Sequence, residues 1–250
     1  GRVSRPEVLV TVPTFNEAEN IEALIDALYG LKVRGLEVLV VDDLSPDGTS
    51  AIVEELIAGG LYSGLRLMTR KGPAGRGWAG RDGFVEALAL GADYIVEMDA
   101  DFSHQPRHIP ELLAAVKDCD MVVGSRFVGG GADQDRGLLR RVITRVANAF
   151  ARSLLGLPVL DCNSGFRAFS RKAMEAIHPE TLESRGPSIV HEVLVRARDA
   201  GLKVREVPIE FVDRRKGDSK LDFQRLAAGY WWVLKARWKG LRPGCPRSRP

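Results

Sequence analysis

Three stretches of this chain carry carboxylates directly after an apolar run, and their residue types and spacing could do chemistry. The first is Pro13-Thr14-Phe15-Asn16-Glu17 after Val8 to Val12. The second is Asp42-Asp43-Leu44-Ser45-Pro46-Asp47-Gly48-Thr49 after Val38 to Val41, and the third is Asp99-Ala100-Asp101-Phe102-Ser103-His104 after Tyr94 to Met98. Asp99 and Asp101 are one residue apart, so on extended backbone their side chains share a face and can bind one hard cation, with Ser103 supplying another oxygen. A divalent ion there would bridge diphosphate oxygens. The alternative is that Asp101 only begins a turn and caps the helix after Pro106. One carboxylate of the Asp42 and Asp43 pair can read a nucleoside through ribose hydroxyls or a base amine, while Ser45-Pro46-Asp47-Gly48 also forms a turn on its own.

The elements that position these residues follow from periodicity. Val8 to Val12 and Val38 to Val41 read as buried strands. Ile21, Leu24, Ile25 and Leu28, then Ile52, Val53, Leu56 and Ile57, recur at helical spacing, the second set closed by Gly59 and Gly60. Two strand–helix units in series predict a parallel sheet. Further strands are expected at Leu65 to Met68, Tyr94 to Met98 and Met121 to Val123, with a helix containing Phe84 and Leu88 and another carrying Ile109, Leu112, Leu113 and Val116. The second half is mixed. It has a helix over Leu138 to Leu155, a strand near Phe166 to Phe169, a helix near Ile189 to Ala200, and one strand through Val207, Ile209 and Phe211. In such a sheet ligands bind beyond the carboxyl ends of the strands, where the three acidic stretches fall. Gly75-Arg76-Gly77-Trp78-Ala79-Gly80 fits G-x-G-x-x-G but does not stand at the first strand–helix turn, which weakens a dinucleotide reading. It is expected instead as a loop that lets backbone approach a diphosphate or sugar.

Composition narrows the class. No stretch reaches the roughly 20 apolar residues of a membrane span, and the first residues lack a signal-peptide pattern, so a cytoplasmic protein is expected. Cys119, Cys162 and Cys245 have neither disulfide-framework nor zinc-site spacing. Residues 214–250 hold 11 Lys or Arg against 2 acidic residues, leaving 25 against 31 elsewhere. From about Leu221, Phe223, Leu226, Tyr230, Val233 and Leu234 recur at helical spacing beside Trp231, Trp232 and Trp238. That segment is read either as an interfacial helix on a membrane surface or as a helix packed on the catalytic body. Residues 1–220 are expected as the catalytic domain, with a nucleotide-sugar half to about 125 and an acceptor half after it.

Together these motifs resemble the family-2 glycosyltransferases, in particular the dolichyl- or polyprenol-phosphate mannose synthases. The likeness continues through Gly124-Ser125-Arg126-Phe127, Ser164-Gly165-Phe166-Arg167, Val207-Pro208-Ile209, and Phe211-Val212-Asp213-Arg214 with Gly217, Ser219 and Lys220, covering about residues 8–222. The resemblance implies an α/β, GT-A fold with an open, mostly parallel sheet flanked by helices. It implies transfer of mannose from GDP-mannose to a polyprenyl phosphate with inversion, assisted by Mg²⁺ or Mn²⁺. By similarity Pro13, Phe15, Glu17, Val41 and Asp43 hold the nucleoside, and Asp99, Ala100 and Asp101 hold metal and diphosphate. Arg126, Arg214 and Lys220 face phosphate or sugar, and Arg140 with Thr144 takes the acceptor phosphate. The implied partners are a nucleotide-sugar, the lipid acceptor, and a membrane surface or membrane-anchoring protein; nucleic acid is not among them. The implied location is peripheral, on the cytoplasmic face of a membrane.

A phosphate acceptor with a second pKa of about 6 is ionised at neutral pH and needs no protein base. His104 and His191 are nonetheless the two side chains that could act as one. Two positions depart from the family: Arg76 puts a charge near the expected donor, and Ser188-Ile189-Val190-His191-Glu192 replaces an aromatic and a Gln. Another hexose donor therefore stands as the alternative, as does a partner-dependent, non-catalytic subunit.

Overall fold

In the computed structural model, residues 5–134 and 138–212 are described. The order is β1 (Val8–Thr14), α1 (Ile21–Gly30), β2 (Leu36–Asp42), α2 (Thr49–Gly59), β3 (Leu65–Thr69), α3 (Arg76–Ala89), β4 (Tyr94–Glu97), α4 (Ile109–Val116), β5 (Met121–Ser125), β6 (Ala132–Gln134), α5 (Leu138–Leu155), β7 (Arg167–Ser170), α6 (Arg171–Ile177), α7 (Ile189–Asp199), β8 (Val204–Pro208) and β9 (Glu210–Val212). Seven strands form one sheet in the order β3-β2-β1-β4-β7-β5-β8, and β6 and β9 form a second, two-stranded one. Every pairing between two of these strands is parallel except those of β7, which runs antiparallel between β4 and β5.

Alternation along the strands deals side chains to two covered faces, which is why β1 and β2 are buried from end to end. Val8, Val10, Val12, Val38 and Val40 pack beneath Ile21, Leu24, Val53, Ile109 and Leu112 of α1, α2 and α4. Leu9, Leu39, Val41 and Ile95 face the other way, under Phe84 of α3, Met174 of α6 and Ile189 and Val193 of α7. The expected parallel sheet, shared by both halves of the chain, is thus the frame of the molecule. Among the described residues no helix is long and apolar enough to cross a membrane.

Besides β6, which the sequence reading does not contain, three elements differ from it. The glycine-rich run is not a loop: α3 begins at Arg76, and its glycines admit neighbours. A Cβ on Gly77 would lie 2.1 Å from the Ser184 carbonyl oxygen, and one on Gly83 would lie 3.3 Å from Val41. The single strand expected over Val207 to Phe211 is two strands in different sheets. Ile209 sits between them, its N–H donating to Ser125 O (3.0 Å) and its carbonyl accepting from Ala132 N–H (3.0 Å). Finally, α6 was not read. It is too short for periodicity to show, and its local signal is Ser170, whose hydroxyl caps the helix by accepting from the Ala173 N–H at 3.1 Å.

Candidate active site

The carboxyl ends of β1, β2 and β4 open on one rim, and the antiparallel sense of β7 brings its first residue to that same rim. The β1 and β2 exits are stitched together. Asp43 N donates to Thr14 O (3.0 Å), Asn16 N to Ser45 Oγ (2.9 Å), Glu17 N to Thr49 Oγ1 (3.0 Å) and Ala18 N to Asp47 Oδ2 (2.9 Å). Burial works to raise the Asp47 carboxyl, but the Thr49 and Ala18 donors outweigh it and hold its pKa below the ordinary value. Each of three exits turns on a non-glycine residue in the left-handed region: Asn16 (φ 60°), Leu44 (φ 59°) and Phe102 (φ 57°). Such conformations cost about 1 kcal/mol or more and persist where the surroundings over-determine them, as at ligand sites. Phe15 and Leu44 are 54% and 56% exposed on this rim.

The structure divides the Asp42 and Asp43 pair. Asp42 is wholly buried and accepts from the Thr14 (3.2 Å) and Ser45 (2.5 Å) hydroxyls on one oxygen and from Ser45 N (3.0 Å) and Ser50 Oγ (2.8 Å) on the other. Donors from Thr14, Ser45 and Ser50 occupy both of its oxygens, so Asp42 shapes the loop. Asp43 pairs with Arg70 and accepts from Gly75 N at 2.5 Å, tying the β2 exit to the start of α3. Pro13 and Val41, expected at the nucleoside, have buried side chains inside the sheet. Phe15 and Glu17 stand on the loop itself.

At the β4 exit the chain bends from Ala100 onward, so Asp99 and Asp101 do not lie on one extended strand. The left-handed Phe102 folds the chain back so that Ser103 N donates to Asp101 Oδ1 (3.0 Å) and the His104 ring returns beneath Asp99. Ala100, Asp101 and Ser103 are buried, whereas the Asp99 side chain is 37% exposed. His104 Nδ1 accepts the Asp99 N–H at 3.1 Å, and the ring stacks on Phe166 with centroids 5.2 Å apart. Burial lowers the His104 pKa; Asp99 and Asp101 oppose that, and Arg126 and Arg76 add to it. A neutral ring with Nδ1 committed positions Asp99 and is poorly placed to take a proton. His191 is likewise neutral, pushed down to about 4 by burial and then by Arg167, and its Nε2 lies 2.9 Å from Asn163 Oδ1.

Charge on the rim is arranged as alternating partners. In the β4–β7 register Glu97 stands opposite Arg167, and both are fully buried. Arg167 Nε (3.1 Å) and Nη2 contact Glu97 Oε2, while Arg76 Nη1 takes Oε1 at 2.9 Å. Burial works to raise the Glu97 carboxyl, but Arg167 and then Arg76 hold it below the ordinary value. Arg76 continues to Asp99 Oδ1 through Nη2 (3.1 Å) and Nε (3.3 Å). Arg126 does not stand open to the rim. Its Nε and Nη2 fork onto buried Asp161 at 2.8 Å each, and its guanidinium lies 5.0 Å from the Phe211 ring centre.

Glu97, Arg167 and Asp161 were not singled out as site residues. Arg167 was quoted only within the Ser-Gly-Phe-Arg motif, and the signal for the other two was a carboxylate in an otherwise apolar stretch. Arg140 and Thr144 are one turn apart on α5. Arg214, Lys220 and the segment from Leu221 lie outside the described residues.

A model of Glycosyl transferase family 2 matches residues 9–177. The chain belongs to this family. As a family-2 glycosyltransferase it has near-full-length relatives. It is 37% identical over 239 residues to the undecaprenyl-phosphate mannosyltransferase of Micrococcus luteus, covering 94% of this chain and 97% of that one. It is 36% identical over 242 residues to the polyprenol monophosphomannose synthase of Mycolicibacterium smegmatis, covering 96% and 89%. Its GT-A fold is shared with glucosyl-3-phosphoglycerate synthase from Mycobacterium tuberculosis, solved with Mn²⁺, UDP and glucosyl-3-phosphoglycerate. That match has a TM-score of 0.65 at 25% identity and covers 99% of this chain and 83% of the other. The same synthase was also solved with Mg²⁺ and UDP, at a TM-score of 0.64 and 24% identity over 99% and 82% of the two chains.

Proposed function

We propose that this transferase moves mannose from GDP-mannose to a polyprenyl phosphate, inverting the anomeric carbon. The observation that carries the reading is the character of the rim. It holds arginine–carboxylate pairs beside Asp99, whose side chain is 37% exposed, while both candidate histidine bases are neutral, buried and hydrogen-bonded. That suits a nucleophile already ionised. A phosphate oxygen attacks the anomeric carbon as the bond from that carbon to the diphosphate breaks, and the electron pair leaves on the diphosphate. Protein catalysis is then alignment and charge neutralisation. The near-full-length likeness to two polyprenol-phosphate mannosyl enzymes supports the sugar and the acceptor.

Asp99, with Asp101 behind it, would hold Mg²⁺ or Mn²⁺. The fit rests on Gly165, where a Cβ would lie 3.7 Å from Asp99 Oδ2, so the missing side chain leaves space in front of that oxygen. Among the described residues no three His, Cys, Asp or Glu side chains cluster as a metal cage. A hard ion completed by substrate oxygens and water matches so sparse a donor set. Once bound, it neutralises charge on the leaving diphosphate.

Association with a membrane surface, on its cytoplasmic face and with or without an anchoring protein, belongs to the same proposal. On α5, Val142, Val146 and Phe150 are exposed at one-turn intervals beside exposed Arg145 and Arg152, and the helix has no acidic residue. An apolar stripe edged by cations suits an anionic headgroup layer.

The test is incubation of the purified chain with Mn²⁺, polyprenyl phosphate in detergent, and radiolabelled GDP-mannose or UDP-glucose. Label passing into the organic phase with GDP-mannose alone is expected. Transfer only from UDP-glucose, or no transfer until a membrane protein is added, would replace this reading with another donor or a partner-dependent subunit.

A further inference from the structure

Arg76 is the one charge on α3 that reaches the candidate metal carboxylate, and its position is tightly determined. Gly75, just before it, donates its N–H to Asp43, and Gly77, just after it, donates its N–H to Arg185 O at 3.0 Å. The first turn of α3 is therefore held from both sides. From there the guanidinium divides between buried Glu97 and Asp99, placing two N–H donors on Asp99 Oδ1. Oδ2 is left turned toward Gly165, 3.7 Å from His104 Nδ1.

We propose that Arg76 is a positioning residue that fixes Asp99 as a single-oxygen ligand and competes with the divalent ion for its charge. The inference rests on the metal reading given above and extends it to a residue outside the ligand set. A fixed cation bonded to one carboxylate oxygen repels a second cation arriving at the other, and a half-exposed site screens that repulsion only in part. The nucleotide-free protein therefore binds the ion weakly. Arrival of a diphosphate supplies negative charge between the two cations and removes the penalty, so ion and donor bind cooperatively. Glu97 keeps Arg167 when Arg76 is replaced, so a neutral side chain at 76 strands no buried carboxylate.

The experiment is a Mn²⁺ titration of the nucleotide-free full chain, followed by the electron-paramagnetic-resonance signal of the free ion. Wild type, Arg76→Met, Arg76→Gln and Arg76→Lys are compared, with melting temperatures recorded alongside. Both neutral variants should bind Mn²⁺ on the order of tenfold more tightly than wild type, a typical size for coupling between sites. Arg76→Lys, which keeps the charge, should stay near wild type. The gain should vanish when Asp99→Asn is added to Arg76→Met. Two neutral variants are used so that misfolding of one leaves the other to decide. Unchanged or weaker Mn²⁺ binding in a folded neutral variant would overturn the proposal. Absence of Mn²⁺ binding in wild type and in both neutral variants, with GDP present as well as without it, would instead bring down the metal reading and this inference with it.

Discussion

The β2 and β4 exits carry the same residue types at the same place in the fold, yet the structure uses them differently. Asp42 is sealed behind four donors from Thr14, Ser45 and Ser50, while Asp99 has one oxygen held by Arg76 and the other turned toward Gly165. What separates the scaffold aspartate from the proposed ion ligand is not the residue type or its position after a strand. It is how many of its acceptor sites the protein has already filled. Short hydroxyl side chains near Asp42 (Thr14, Ser45 and Ser50) fill them, whereas at Asp99 the Arg76 guanidinium takes a single oxygen.

The largest expected effect breaks the open member of the pair. Asp99→Ala should lower transfer by at least about a hundredfold, since an ion-holding carboxylate supplies several kcal/mol of charge stabilisation. Its melting temperature should stay close to wild type, because Arg76 retains Glu97. Near-normal turnover would make Asp99 a bystander and erase the contrast.

The sealed member should behave in the opposite way. Asp42→Ala leaves four donors without their acceptor, and at roughly 1 kcal/mol each the folded state should lose about 4 kcal/mol. Urea denaturation reads this directly. A loss under about 1 kcal/mol, with donor binding gone, would show that Asp42 serves the ligand after all.

A smaller effect concerns the two histidines, which set both exits apart from a base-catalysed site. His191 is held near 4 in the fold against an ordinary value of 6.5, so between those pH values the unfolded chain binds more protons than the native one. Stability is therefore complete above about pH 6.5 and falls as pH drops toward 4, by up to about 3 kcal/mol from this group. Melting temperatures across that window should decline less steeply for His191→Gln than for wild type. Identical slopes would mean that His191 is not held neutral.

Much of the frame was legible because burial on both faces leaves a strong mark. Continuous apolar strands, Ile21 to Leu28 at helical spacing, and α5 over Leu138 to Leu155 could all be read directly. The Gly75 to Gly80 run was misread because glycine marks close approach as well as loops, and only the Ser184 and Arg185 backbone shows which applies. Asp42 and Asp43 are equivalent in sequence, and their different fates depend on Ser50, Arg70 and Gly75, contacts the neighbouring residues do not announce. Arg126 posed the same difficulty, since its partner Asp161 lies 35 residues away.

The reversed direction of β7 has one more consequence. Gly124 N donates to Phe166 O at 2.8 Å, so the chain leaves β5 and comes back to β7 at almost the same point of the rim. None of the described residues between β5 and β7 belongs to the seven-stranded sheet, so the chain makes an excursion whose two ends adjoin on it. Doubling the length of such an excursion adds only about 0.6 kcal/mol of closure entropy. The strands that carry Glu97 and Arg167 can therefore keep their register whatever the length of the excursion between β5 and β7.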